Sequence, residues 1–190
     1  MQTVSNVLKL MHMALVPVLE RAEVVVDATA GNGHDTLFLA EHIKETAQIY
    51  AFDIQPQAIA NTKARTAQYA ARIHYILGSH EQLDVQVPGQ VDAVLFNLGY
   101  LPGAEHTAVT RHESTKCAVN QALAKLKVNG IAVIVVYPGH PEGKAEADML
   151  AAYLAALPCR QFTVGCYRLL NHQQNAPYAY LVERVKAGPV

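Results

Sequence analysis

The sequence predicts an α/β domain on a mostly parallel sheet, and three features predict it. Short valine-rich runs of strand length alternate with longer segments of helical spacing through five strands. A glycine-containing turn, Asp27 to Thr36, follows the first run and leads into a helical segment. The last two apolar runs are separated only by Arg168–Pro177, with no helix between them, so they are expected to pair antiparallel.

In order, Val4, Leu8, Met11, Leu15 and Leu19 recur at helical intervals and predict an amphipathic helix over 3–19, packing near the glycine turn. Glu23–Ala28 reads as a buried strand, Asp35–Ile43 as a helix and Gln48–Asp53 as a strand ending in an acid. Pro56–Tyr69 opens on a proline, favoured in a first helical turn, and reads as helix. Arg72–Leu77 and Val91–Leu98 are strands, Ser114–Leu126 a helix, and Gly130 marks a turn into the strand Ile131–Tyr137. Pro141–Leu157 is a helix closed by Pro158, and Arg160–Tyr167 and Tyr178–Val185 are the final strands. Strand–helix alternation implies right-handed crossovers and helices on both faces. Five parallel strands plus a hairpin that inserts one reversed strand give a seven-stranded sheet, the Rossmann-like class I methyltransferase pattern. A dinucleotide-binding dehydrogenase would more often continue with another helix and parallel strand.

At 190 residues, 51% hydrophobic and 16% charged, one domain over 1–190 with its own core is expected. The net charge of −1 provides no global attraction for nucleic acid or anionic membrane. Cys117, Cys159 and Cys166 are odd in number and form no CxxC pair, which suggests reduced thiols. With no apolar run of about 20 residues, a soluble cytoplasmic protein without membrane contact is expected. No zinc site is expected, because no His/Cys pair has ligand spacing near a second pair.

The turn after the first strand is where an α/β sheet binds ligands. Gly31 and Gly33 allow a sharp turn and close backbone approach to a ligand, with Thr29, Asn32, Asp35 and Thr36 around them. Asp27 ends the strand, where its carboxylate could meet the ammonium of a methionine moiety. Asp53, with Gln55 beside it, ends the second strand about where a ribose-binding acid is expected. Thr36 replaces the third glycine of the dinucleotide fingerprint, so the loop suits the cationic S-adenosylmethionine better than a pyrophosphate. Ser79 and His80 follow the third strand, at the position of contacts to an adenine edge, although His80 also reads as a simple loop histidine.

The loop after the fourth strand, Asn97-Leu98-Gly99-Tyr100-Leu101-Pro102-Gly103, lies across the carboxyl edge, where a methyl acceptor would enter. Its polar acceptors could orient an amine lone pair, with Asn97 and Tyr100 as candidates and Leu98 and Gly99 against the substrate. His106 and His140 lie on carboxyl-edge loops and are candidate proton acceptors, whereas His12 reads more readily as a core histidine.

With these residues in hand, the chain resembles the bacterial rRNA methylase family, whose characterised members methylate 5-aminomethyl-2-thiouridine at the tRNA wobble position. The resemblance is carried by Asp27–Thr36, Phe52–Gln55, Asn97–Gly103, Glu113–Thr115, Tyr137–Gly143 and Asn171–Pro177. It implies S-adenosylmethionine as cofactor, held by Asp27, Gly31, Gly33, Asp35, Thr36, Asp53 and Gln55. It also implies methyl transfer to the exocyclic aminomethyl nitrogen, with Asn97–Gly103 and His140 at the reaction. Asn175 falls in a loop that could cover the target base. Two departures lie on the substrate side: Gly103–His106 lacks an expected second glycine and acid, and His112 stands where proline is expected. The implied partner is the anticodon loop of tRNA, with Arg111, Lys116, Lys144, Arg160 and Arg168 as a basic patch and Tyr100 or Tyr178 stacking on a base. A homodimer is expected, since it would double that footprint. An rRNA or small-amine acceptor, an oxidoreductase and a non-catalytic RNA-binding protein stand as alternatives.

Overall fold

A computed structural model describes residues 6–99, 111–173 and 175–188, excluding the side chains of 111 and 112. Seven strands form one sheet: β1 (Val24–Asp27), β2 (Gln48–Asp53), β3 (Ile73–Leu77), β4 (Val91–Asn97), β5 (Leu126–Val136), β6 (Phe162–Tyr167) and β7 (Tyr178–Arg184). Their order is β3-β2-β1-β4-β5-β7-β6. The first five run parallel, and β7 lies antiparallel between β5 and β6. The chain winds outward from β1 through β2 to β3, then crosses to β4 and continues the other way. The loops leaving β1 and β4 therefore diverge, opening a crevice at the sheet's carboxyl edge.

Among the described residues six α-helices cover the sheet: α1 (Val7–Leu19), α2 (His34–His42), α3 (Pro56–Arg65), the short α4 (Leu83–Gln86), α5 (Arg111–Lys125) and α6 (Pro141–Ala155). Successive strand residues face opposite layers. Val25, Ile49, Leu95 and Val133 join Met11 and Leu15 of α1 and Leu39 of α2 in one buried cluster. Val26, Phe52, Phe96 and Ile134 join Leu123 of α5 and Leu150 of α6 in the other. In α1 the buried stripe is Val7, Met11, Leu15 and Val18, and the Asn6 side chain caps the helix by accepting from the Lys9 amide at 3.0 Å.

The largest departures from expectation lie after β2, at the start of β5 and between β3 and β4, and α5 begins at Arg111 rather than Ser114. The helix after β2 stops at Arg65, and Ala67–Arg72 forms a 3-10 segment. There the Thr66 hydroxyl bonds back to the Thr62 carbonyl at 2.7 Å, an interaction that favours helix ends. The fifth strand begins at Leu126 rather than after Gly130, with a register shift opposite Val91/Ala93. The left-handed residue there is Asn129 (φ 65), while Gly130 is needed for space: a Cβ would lie 2.9 Å from the Asp92 carbonyl. Between β3 and β4 the chain forms a 3-10 turn (His80–Gln82) and α4, elements too short for apolar spacing to announce. Among the described residues no helix is long and apolar enough to cross a membrane.

Candidate active site

The carboxyl-edge crevice is a cavity of about 730 Å³. One end is built from the loop after β1 and the ends of β2 and β3, including Thr29, Gly31, Asn32, Asp53, Gln55 and Ser79. Gly31 (φ 53) and Gly33 (φ 79) take left-handed conformations, so the loop turns tightly into α2. Asp53 holds it from the side: one carboxylate oxygen accepts from the Gly31 amide at 2.9 Å, the other from the Gln55 amide at 2.9 Å. Each oxygen keeps a lone pair for a further donor. Around Gly31 a Cβ would meet only the Thr29 carbonyl, at 3.8 Å, so a ligand can approach the backbone closely.

Asp27 does not reach this surface. It is fully buried, accepting from the Thr29 amide at 3.1 Å and the Thr36 hydroxyl at 2.6 Å. Burial and the nearby charge of Asp35 push its carboxyl up to about 7. Asp27 and Thr36 thus brace the loop from beneath, and neither they nor Gly33 line the cavity. The direct contact with a methionine ammonium expected of Asp27 does not match this position behind the cavity wall.

The other end gathers the loops after β4 and β5 with α5, α6 and the β6–β7 connection. Asn97, Leu98, Gly99, Thr115, Tyr137, His140, Glu142, Glu146 and Asn175 line it, from parts of the chain far apart in sequence. Asn97 is held through three of its polar atoms. Its backbone amide donates to the Thr29 hydroxyl at 2.7 Å, its side-chain nitrogen donates to Asp35 at 2.9 Å, and its side-chain oxygen accepts from the Tyr137 hydroxyl at 2.8 Å. Burial would raise Asp35, but hydrogen bonds from His12 and Asn97, with the charges of His12 and His34, outweigh it and hold its carboxyl below the ordinary value. Tyr137 is raised by burial and by the Asp35 charge, so at neutral pH it remains a hydroxyl donor.

His140 caps α6, its Nδ1 accepting from the Gly143 amide at 3.0 Å. The same Nδ1 lies 3.2 Å from a Glu142 carboxylate oxygen, so the ring is held between the helix end and that acid. His80 bonds the Ala28 carbonyl through Nδ1 at 3.2 Å, and burial lowers its basicity, which keeps it neutral. Tyr100 and His106 lie outside the described residues. Arg111 begins α5, and its side chain is likewise not described.

Of the predicted site residues, Thr29, Gly31, Asn32, Asp35, Asp53, Gln55, Ser79, His80, Asn97, Leu98, Gly99, His140 and Asn175 line one cavity. Sequence reasoning gave no role to Tyr137, Thr115 or Glu146. Tyr137 directly follows a strand at the carboxyl edge, a usable signal. Thr115 donates to Glu146 at 2.6 Å across α5 and α6, a pairing that no local spacing reveals.

The fold and this carboxyl-edge cavity are those of a class I methyltransferase. The chain belongs to the family described as "Putative rRNA methylase", whose model matches residues 49–183. It is 30% identical over 185 residues to an Arabidopsis thaliana protein named chloroplastic tRNA (mnm(5)s(2)U34)-methyltransferase, covering 91% of this chain and 68% of that relative. A Clostridium thermocellum protein bearing the same description as the family superposes with a TM-score of 0.91 at 34% identity, covering 96% of this chain and 100% of that one. A Streptococcus mutans protein of methyltransferase description, solved in complex with SAH, gives a TM-score of 0.84 at 32% identity, covering 94% of this chain and 98% of that one.

Proposed function

We propose that this chain uses S-adenosylmethionine to methylate the aminomethyl nitrogen of 5-aminomethyl-2-thiouridine at the tRNA wobble position, giving 5-methylaminomethyl-2-thiouridine. The observation that carries this reading is the charge inventory of the cavity. Among its described lining residues are four carboxylates (Asp35, Asp53, Glu142 and Glu146) and neither lysine nor arginine. Such a wall suits a cationic sulfonium and an amine that arrives as an ammonium ion, and is ill suited to a phosphate-bearing cofactor. The wobble position is supported by the similarity to the Arabidopsis tRNA (mnm(5)s(2)U34)-methyltransferase.

When bound, the cofactor supplies an electrophilic methyl on a cationic sulfur. The residues do the rest. Asp53 accepts from the ribose hydroxyls through its remaining lone pairs while it holds the glycine loop. Asn97 turns its side-chain oxygen toward the acceptor, and that oxygen accepts a hydrogen from the amine so that the nitrogen lone pair faces the methyl group. Glu142 and Glu146 draw the ammonium form into the acceptor end, where it gives one proton to solvent water before attack, and methylation of the free amine then leaves a secondary ammonium. The anticodon loop approaches past Asn175, which is exposed at the rim, and the protein acts as a homodimer.

The test is an acceptor panel: tRNA carrying 5-aminomethyl-2-thiouridine, the same tRNA lacking that modification, ribosomal RNA, and free primary amines, each with methyl-labelled S-adenosylmethionine. Label in the first alone supports the proposal. Label in ribosomal RNA or in free amines, with none in that tRNA, overturns it.

A further inference from the structure

The first helix sends one polar side chain toward the reaction loop. His12 Nε2 lies 2.7 Å from one Asp35 oxygen, and the other Asp35 oxygen accepts from the Asn97 side-chain amide at 2.9 Å. The imidazole is stacked flat on Phe38, with ring centroids 3.8 Å apart and 5° between planes. Asp35 and Phe38 are three residues apart on α2, on one helix face, so the surface that seats the ring also holds its target. The result is a continuous path from His12 through Asp35 and Asn97 to Tyr137.

A side-chain amide can be turned over with little change of shape, and its orientation is set by its neighbours. Here an acceptor-only carboxylate faces the Asn97 nitrogen and a phenol donor faces its oxygen. The first condition requires Asp35 to be ionised and aimed, though it is almost completely buried. A buried carboxylate with a hydrogen bond removed tends to protonate or swing away. A protonated Asp35 would present a donor to the Asn97 nitrogen and invite the flip.

We propose that His12 is a positioning residue for methyl transfer, acting through Asp35 to keep the Asn97 carbonyl oxygen presented to the acceptor. This rests on the reading of Asn97 as the group that orients the amine. It makes α1, which lies outside residues 49–183, part of the site.

The variants are His12→Phe, which keeps the stack on Phe38 and removes the donor, and His12→Gln, whose terminal amide restores an N–H near the Nε2 position. His12→Asn, whose shorter amide stops short of Asp35, replaces the first if His12→Phe does not fold. The first readout needs no acceptor RNA: the side-chain amide resonances of Asn97, identified by their loss in Asn97→Ala, in protein saturated with S-adenosylhomocysteine. In His12→Phe these resonances shift and exchange faster with water, and in His12→Gln they stay near their original positions. The second is single-turnover methyl transfer. His12→Phe slows it about tenfold to a hundredfold with S-adenosylhomocysteine affinity held within about twofold, His12→Gln recovers most of the rate, and His12→Phe adds nothing in the Asn97→Ala background. Unchanged Asn97 resonances in His12→Phe, no recovery in His12→Gln, or additive slowing with Asn97→Ala would overturn the proposal. If the unmodified protein methylates none of the panel, the substrate assignment fails and the resonance test still decides the role of His12.

Discussion

Asp53 and Gly31, at the ends of different strand–loop units, are joined by a 2.9 Å hydrogen bond from the Gly31 amide to the Asp53 carboxylate. The acid expected to bind a ribose is therefore also the brace that sets the glycine loop. Asp53→Ala removes both functions. Loss of hydrogen bonds to a charged group is worth roughly 1.5–3 kcal/mol each, so S-adenosylhomocysteine affinity is expected to fall about tenfold to a hundredfold or more. Calorimetry measures this directly, and an affinity within twofold of the original contradicts it.

Asn97 touches the cavity from the acceptor side and is held by three partners. Asn97→Ala is expected to leave S-adenosylhomocysteine affinity nearly unchanged and to lower kcat by about a hundredfold, the scale of a lost orienting contact. Parallel loss of affinity and turnover would assign Asn97 to cofactor binding instead.

Asp27 makes stability depend on pH in a defined direction. Its carboxyl rises from 3.8 to about 7 on folding, so the folded protein holds a proton there that the unfolded chain has released. The associated stability is complete below about pH 4 and is lost as pH rises toward 7. Asp27→Asn keeps the shape and removes the titration. Denaturant unfolding at about pH 5 and about pH 8 should show the variant gaining on the original protein at the higher pH, by a few kcal/mol at most, since one pKa unit is about 1.4 kcal/mol. Asp35, held below its ordinary value, acts in the opposite sense, and its contribution is lost as pH falls through that lowered pKa. Parallel pH profiles for the two proteins would contradict the burial of a protonated Asp27.

Gly33 combines a φ of 79 with a Cβ position 2.7 Å from the Thr62 Cα. Gly33→Ala therefore meets both backbone strain and a backbone clash, with a loss on the order of 2 kcal/mol or more. For a chain of this size that lowers Tm by about 2–4 °C per kcal/mol, measurable by thermal unfolding. Gly31→Ala, at φ 53 with only an ordinary contact to the Thr29 carbonyl at 3.8 Å, should lose less stability and more cofactor affinity.

Much of the sheet was legible because its strands are short valine-rich runs separated by helical spacing, and the reversed β7 followed from the missing crossover helix. The site loops were legible for the same reason: in a parallel sheet they follow the strands. Harder to see was anything that depends on which residues meet across the fold. Asp27 has the residue type of a ligand contact, yet the Thr36 hydroxyl draws it beneath the loop. His12 has the pattern of a core histidine, and only the packing of α1 on α2 brings it to Asp35. The early start of β5 was hidden because Gly130 resembles a turn glycine, whereas it is the close approach of the Lys127 and Asp92 carbonyls that requires it.

The central claim is the nucleoside that receives the methyl group. tRNA bearing 5-aminomethyl-2-thiouridine, incubated with the protein and S-adenosylmethionine, digested to nucleosides and resolved by mass spectrometry, should lose that nucleoside and gain 5-methylaminomethyl-2-thiouridine in equal amount, with Asn97→Ala greatly slowed. A protein that binds the cofactor tightly but leaves 5-aminomethyl-2-thiouridine unchanged, or places the methyl group on another nucleoside, would contradict it.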